Sequence, residues 1–219
     1  MKNLKIIKSK EANNYYKRNL NNYNSQIKDN RIIDLIKFNK LKPKNVLEIG
    51  CADGKNLNQY QQSLNSKTCY GIDLASIAIK NGKKKYKKLK LLKLSSLEIN
   101  KIKTKFDLII CGFFLYILDR EEIFNQFNLI YKQLNNNGYL IIKDFDPLFK
   151  HTNYSIHNKR LKSFKMSYDN FLEESGLFKL VYKIRKIKDF SDKRKFKSSD
   201  VSLTMFKKID FKKSYPENQ

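Results

Sequence analysis

Apolar residues along this chain fall into short runs and helical stripes that alternate with one another. Asn45-Val46-Leu47-Glu48-Ile49 is a short apolar run closed by Gly50, and it reads as a buried strand. Leu57, Tyr60 and Leu64 then recur at helical spacing. Thr68 to Asp73 forms a second strand, followed by a basic helix through about Lys88 and a third short strand from Leu89 to Leu94. Phe106 to Gly112 (FDLIICG) is apolar on both faces, as a central parallel strand should be. Upstream, Arg31 to Lys40 places Ile32, Leu35, Ile36 and Asn39 near one helical face that ends before Lys42-Pro43.

Downstream, Asp119 is read as a helix cap with Glu122 three residues later, and Ile123, Phe127, Ile130 and Leu134 line one face. Asn135-Asn136-Asn137-Gly138 stops that helix, and Tyr139 to Lys143 is a fifth strand running into Asp144-Phe145-Asp146-Pro147. A polar stretch from Leu148 to Ser167 precedes a short helix, Asp169 to Ser175, stopped by Gly176. Strands near Leu180 to Ile187 and Val201 to Ile209 follow, joined by a basic loop rather than a helix. Strand–helix repetition predicts a doubly wound α/β fold, a Rossmann-like seven-stranded and mainly parallel sheet with a C-terminal antiparallel hairpin. Residues 1–40 are expected to form a helical arm or lid, 41–210 the main domain with 148–167 as an insertion over the substrate, and 211–219 a tail.

Composition sharpens this picture in one place and blurs it in another. A hydrophobic content of 41% excludes a disordered chain. The net charge of +25 points first to nucleic acid or an anionic membrane. Arginine, the residue suited to bidentate phosphate and base reading, nevertheless supplies only six of the 46 basic residues. The lysines therefore read mainly as a loaded solvent face. The longest nearly apolar run, Leu108 to Leu118, is too short to span a bilayer, and the start has no apolar secretory segment. Cys51, Cys69 and Cys111 form no CxxC pair and sit in apolar segments, which fits free thiols in the cytoplasm and no zinc site.

In doubly wound folds, ligands bind beyond the carboxyl ends of the strands. After the first strand stands Glu48-Ile49-Gly50-Cys51-Ala52-Asp53-Gly54, where small residues at 50, 52 and 54 allow a sharp turn and a close backbone approach. It is not the dinucleotide pattern GxGxxG, because position 55 is Lys, nor a phosphate loop, because no GK[S/T] follows. After the second strand stands Asp73, about 20 residues past the glycine loop, where an acid can accept hydrogen bonds from ribose hydroxyls. After the fourth comes an apolar and aromatic run from Cys111 to Tyr116.

The series VLEIGCADG (46–54), GIDL (71–74), FDLIICGFFLY (106–116) and GYLIIKDFDP (138–147) resembles a class I S-adenosylmethionine-dependent methyltransferase over roughly residues 30–210. A softer similarity, carried by LYILDREEIF (115–124), DFDP (144–147) and SFKMSYDNF (163–171), is to a bacterial subgroup associated with surface-polysaccharide or other small-molecule biosynthesis. The resemblance implies S-adenosyl-L-methionine as cofactor. It assigns Gly50, Cys51, Ala52 and Gly54 to the methionine part, with Glu48 holding the loop, Asp73 on the ribose and Leu74 beside the adenine. Ser95, Ser96 and Leu97 stand where the family often has an acid against the adenine, so Ser96, backbone atoms or Glu98 must serve there. Cys111, Gly112 and Phe113 would line the methyl-donor end.

His157 and Asp144 are the candidate general bases, and Tyr116, Asp146, Lys165 and Tyr168 the candidate acceptor contacts. Tyr116 can equally be a core aromatic, and His157 a solvent-exposed loop residue. No acid directly follows the fourth strand, so no metal is expected. The leading function is methyl transfer to an oxygen or nitrogen of a small molecule or sugar intermediate, with the positive charge favouring an anionic acceptor. An RNA methyltransferase and a non-catalytic binding protein on the same fold are the alternatives. Against a DNA enzyme, the chain has no Pro-Pro signature after the fourth strand and no Pro-Cys pair.

Overall fold

A computed structural model describes residues 2–20, 30–186 and 200–210. The chain opens with helix α1 (Asn3–Ile6), a π turn (Ile7–Glu11) and helix α2 (Ala12–Arg18). Helix α3 (Arg31–Phe38) leads into strand β1 (Asn45–Ile49), helix α4 (Lys55–Leu64), strand β2 (Thr68–Asp73), helix α5 (Ser76–Lys85) and strand β3 (Lys90–Lys93). Strand β4 (Phe106–Gly112), helix α6 (Ile123–Gln133) and strand β5 (Leu134–Phe145) follow. Strands β6 (His151–Tyr154) and β7 (Lys162–Lys165) form a separate antiparallel hairpin. Helix α7 (Asp169–Glu174) and strands β8 (Phe178–Lys186) and β9 (Val201–Lys208) complete the described chain.

The sheet order is β3-β2-β1-β4-β5-β9-β8, parallel from β3 to β5 and antiparallel across β9 and β8. Strand β1 has β2 on one side and β4 on the other, so the winding reverses there and a crevice opens at their carboxyl ends. Period-two alternation splits each central strand between two cores. Leu47, Ile49, Ile109, Cys111, Leu140 and Ile142 pack with Phe127 and Ile130 of α6. Val46, Leu108, Ile110 and Ile141 pack with Ile32 and Ile36 of α3 and Leu57 of α4. Burial of each such side chain contributes roughly 1.5–3 kcal/mol.

The structure corrects several expectations. Helix α5 stops at Lys85 instead of running to Lys88, because Tyr86 leaves the helical region and its N–H closes back onto Gly82 O. Strand β5 starts at Leu134, which pairs with Phe106; the ladder resumes only at Leu108 with Tyr139, so the Asn135–Gly138 segment bulges within the strand. Neither Asp119 nor Glu122 caps the helix that follows; a 3-10 turn, Arg120–Glu122, leads into α6. The polar stretch 148–167 contains the β6–β7 hairpin. Its two strands pair from His151 with Lys165 to Tyr154 with Lys162. Most of the expected basic loop and the tail lie outside the described residues. Among the described residues, no helix is long and apolar enough to cross a membrane.

Candidate active site

The loop after β1 is bent by backbone conformation and pinned by backbone hydrogen bonds. Gly50 adopts φ +78°, a region that side chains disfavour, and an added Cβ would press on Phe114 Cβ at 3.3 Å. Gly50 N–H and Cys51 N–H both donate to Ile72 O, at 2.9 and 3.1 Å. Ala52 is also held at positive φ, +49°. Its N–H donates to Asp73 Oδ2 at 2.9 Å, while the other Asp73 oxygen accepts from Ala75 N–H at 2.8 Å. Asp73 thus ties the glycine loop to the start of α5 while keeping lone pairs toward the crevice. Burial raises its carboxyl above the usual range, against the pull of the Ala75, Ala52 and Leu74 N–H groups.

Glu48 stands beneath this loop, buried, with Oε2 lacking any hydrogen-bond partner among the described residues. Burial first, then the neighbouring Asp73, pushes its carboxyl up to about 8. It therefore holds a proton at neutral pH. Such a group is costly unless something arrives to use it.

A cavity opens beside the loop. Ile49, Gly50, Ile72, Asp73, Leu74, Leu94, Ser95, Ser96 and Phe114 line it, together with Leu4 and Ile7 of the N-terminal segment. Leu97 packs against the core instead, and Glu98 is turned away to Lys101 and Lys8, so of the candidates for this end Ser96 lines the cavity and Glu98 does not.

Beyond β4 the backbone is clamped from both sides. Asp144 Oδ2 accepts from Leu115 N–H (2.9 Å) and Tyr116 N–H (3.3 Å), and Oδ1 from Phe145 N–H (2.7 Å). Burial nevertheless pushes the Asp144 carboxyl up to about 7. The Arg120 guanidinium caps the same turn at Leu115 O and Leu118 O and donates to Tyr168 Oη at 3.1 Å. Gly112 faces open space, with nothing within 4 Å of where its Cβ would be.

Several predicted contacts sit elsewhere. Cys111 is fully buried in the core and offers the site only backbone. Asp146 is paired with Arg185, through Nη2 at 2.9 Å and Nε at 3.1 Å, and with Lys183 at 2.9 Å. Burial would raise its carboxyl, but these partners hold it below the usual range. Tyr168 is buried under Arg120, and burial pushes its hydroxyl up to about 12. His157 is exposed on the turn of the hairpin. The expected base roles thus meet an aspartate whose oxygens are engaged by backbone N–H groups and a histidine in solvent.

A helical arm or lid was expected from residues 1–40, but the contacts of its first helices, the roof of the cavity, were not. Asp119 does cap a helix, but that of α1: its oxygens accept Asn3 N–H at 2.8 Å and Leu4 N–H at 3.1 Å. Buried Asn3 clasps the loop after β4 to the hairpin, donating to Ile117 O (2.9 Å) and Lys162 O (2.7 Å) and accepting Lys162 N–H (3.1 Å). Asn13 accepts Ile77 N–H at 3.0 Å at the start of α5. The roof is held by these polar contacts and by Tyr16 and Ala12 packed against Ala75 and Ala78. Asn3→Ala, which leaves three backbone groups unpaired, is expected to speed amide exchange over residues 3–18 by roughly 10–100-fold, as loss of about 2 kcal/mol would. Unchanged exchange would show that Asn3 does not hold the roof.

The glycine loop and Asp73 stand at the winding reversal of a parallel sheet, and a family model described as a methyltransferase domain matches residues 40–198, well over half of the chain. The chain belongs to the methyltransferase-domain family. The class I, S-adenosylmethionine-dependent resemblance carried by its motifs names that same family. An uncharacterized protein of Rickettsia prowazekii (strain Madrid E) is 28% identical over 145 residues, 62% of this chain. The match spans 58% of that relative's length.

Solved structures share the methyltransferase fold at low identity. The 1,6-didemethyltoxoflavin-N1-methyltransferase of Burkholderia thailandensis, with S-adenosylhomocysteine bound, has a TM-score of 0.74 at 12% identity, covering 94% of this chain and 89% of its own. Magnesium protoporphyrin IX methyltransferase of Synechocystis PCC 6803, with bound S-adenosylmethionine, has a TM-score of 0.70 at 12% identity over 95% and 98%. N-methyltransferase NodS of Bradyrhizobium japonicum WM9, in complex with S-adenosylhomocysteine, has a TM-score of 0.59 at 18% identity over 82% and 86%.

The residues of this methyltransferase site fit the family's cofactor. The orphaned Glu48 oxygen suits an ammonium group, and Asp73 adjoins an open, mainly apolar cavity.

Proposed function

We propose that this protein transfers a methyl group from S-adenosylmethionine to an oxygen or nitrogen of a small molecule or sugar intermediate. The observation that carries the reading is Gly50 and Asp73 lining one crevice, with Asp73 tied to the loop at Ala52 and Glu48 buried beside the loop with an oxygen that has no partner among the described residues. The loop backbone holds the methionine part, Asp73 the ribose hydroxyls, and Leu74 and Ser96 the adenine. Leu4 and Ile7 lie over that end and exclude water. When bound, the cofactor supplies an activated methyl group, so the chain's task is alignment of the acceptor. Asp144 serves here as a positioning residue, holding Leu115 and Tyr116 in place. Two of the solved relatives are N-methyltransferases by name, and their acceptors, where named, are small molecules, which supports this class of acceptor.

Glu48 provides a specific test. Burial pushes its carboxyl up to about 8, so the protonated form dominates at pH 7. A cation arriving beside it favours the carboxylate and expels the proton. Binding of S-adenosylhomocysteine at pH 7 is thus expected to release roughly 0.5–0.9 proton, with affinity rising from pH 6 to pH 8. Calorimetry in two buffers of different ionisation enthalpy measures this, and Glu48→Gln should abolish the release. Proton uptake, or none, would remove Glu48 from the cofactor site.

A further inference from the structure

We infer that the acceptor is an aromatic anion, received by the rings of Phe113, Tyr116 and Phe145 and the ammonium groups of Lys143 and Lys165. The inference rests on the methyl-transfer reading and deepens it. The starting point is Gly112, the last residue of β4, which opens onto empty space and pairs in register with Lys143. The next residue, Phe113, adopts φ +52°, a left-handed conformation that costs a bulky side chain about 1 kcal/mol or more. Its N–H is held by Lys143 O at 2.9 Å, and this strained backbone presents a residue that is 37% exposed. A fold that only needed to end a strand had no reason to place phenylalanine there.

The rings form one cluster of exposed and half-buried residues. Phe113 and Phe145 lie 5.7 Å apart at 71°, and Tyr116 and Phe145 lie 5.1 Å apart at 83°. Edge-to-face walls of this kind accept a further flat ring. Two cations stand over the same rings: Lys143 Nζ is 5.6 Å from the Phe113 centroid, and Lys165 Nζ, from the hairpin, is 4.0 Å from that of Phe145. Lys165 is partly desolvated there, which lowers its pKa and makes its charge more effective toward an anion. Two acids act on these lysines through charge, Glu48 on Lys143 and Asp144 on Lys165. Burial holds both carboxyls up, to about 8 and about 7, so they offset the two ammonium charges only in part. A neutral sugar would use neither ammonium as well as a carboxylate or phosphate on a ring.

Calorimetry on the protein saturated with S-adenosylhomocysteine tests this, with 1-naphthoate as probe, 1-naphthamide as its neutral counterpart and acetate as an anion without a ring. The expected result is that naphthoate binds at least about tenfold more tightly than naphthamide and that acetate does not bind. Lys165→Gln should erase the preference for naphthoate, and Phe113→Ala should weaken both aromatic probes. Lys84→Gln, at an exposed position of α5, should change nothing. Equal binding of naphthoate and naphthamide, absence of naphthoate binding, or indifference to Lys165→Gln would overturn the inference while S-adenosylhomocysteine still binds. Failure of S-adenosylhomocysteine itself to bind would instead overturn the methyl-transfer reading.

Discussion

Replacing Asp73 with alanine is expected to weaken S-adenosylhomocysteine binding by at least about 100-fold, equivalent to roughly 3 kcal/mol. The carboxylate does two things at once. It holds Ala52 N–H and Ala75 N–H at 2.9 and 2.8 Å, and it presents the remaining lone pairs to the crevice. Its removal leaves two partly buried donors unpaired, at about 1–3 kcal/mol each, and releases a loop held at positive φ by those bonds. Asp73→Asn keeps one acceptor oxygen and should lose less, on the order of tenfold. Titration calorimetry, with circular dichroism to confirm folding, reads both variants. A loss under threefold for alanine would place the ribose contact elsewhere.

The second large effect is at a residue that a helix scale would misjudge. Gly82 lies inside α5, where alanine ordinarily stabilises by about 1 kcal/mol. Here an added Cβ would fall 2.1 Å from Asp53 O, 2.8 Å from Asp53 C and 2.6 Å from Leu91 Cδ1. The first two are backbone atoms of the glycine loop and cannot swing aside. Gly82→Ala must therefore push α5 off the loop. The expected cost is about 3 kcal/mol, a fall in melting temperature of roughly 6–12 °C, together with weaker cofactor binding. A raised melting temperature would mean that α5 does not pack against Asp53 as described.

Which parts of this molecule were legible in the sequence follows from how locally each is determined. Strands β1 and β4 carry nearly continuous apolar runs because both faces are buried, and the limits of β1, β2 and β4 agree with the reading of the residues. The spacing from the glycine loop to Asp73 was equally legible, because the fold fixes it. The β6–β7 hairpin was not: its residues are exposed or only half-buried, so no alternation marks its strands. Asp119 showed capping chemistry, but its partners Asn3 and Leu4 lie more than 100 positions away. Asp144 and Asp146 read as catalytic or acceptor-binding acids because they follow a strand end. In the fold the first is spent on backbone N–H groups and the second on Arg185 and Lys183. Long-range pairings of this kind leave no trace in local spacing.

The charge also changes meaning once placed. Lys80, Lys83, Lys84, Lys85, Lys87 and Lys88 are all exposed on or just after α5, and none lines the cofactor cavity. The lysines that the inference assigns to the acceptor are Lys143 and Lys165, which stand over the Phe113 and Phe145 rings.

Methyl transfer to a small molecule is tested by incubating the protein with methyl-labelled S-adenosylmethionine and cell extract separated into small-molecule, RNA and protein fractions. The expected result is label in the small-molecule fraction, abolished by Asp73→Ala. Label in RNA or protein, or no transfer to any fraction, would contradict it.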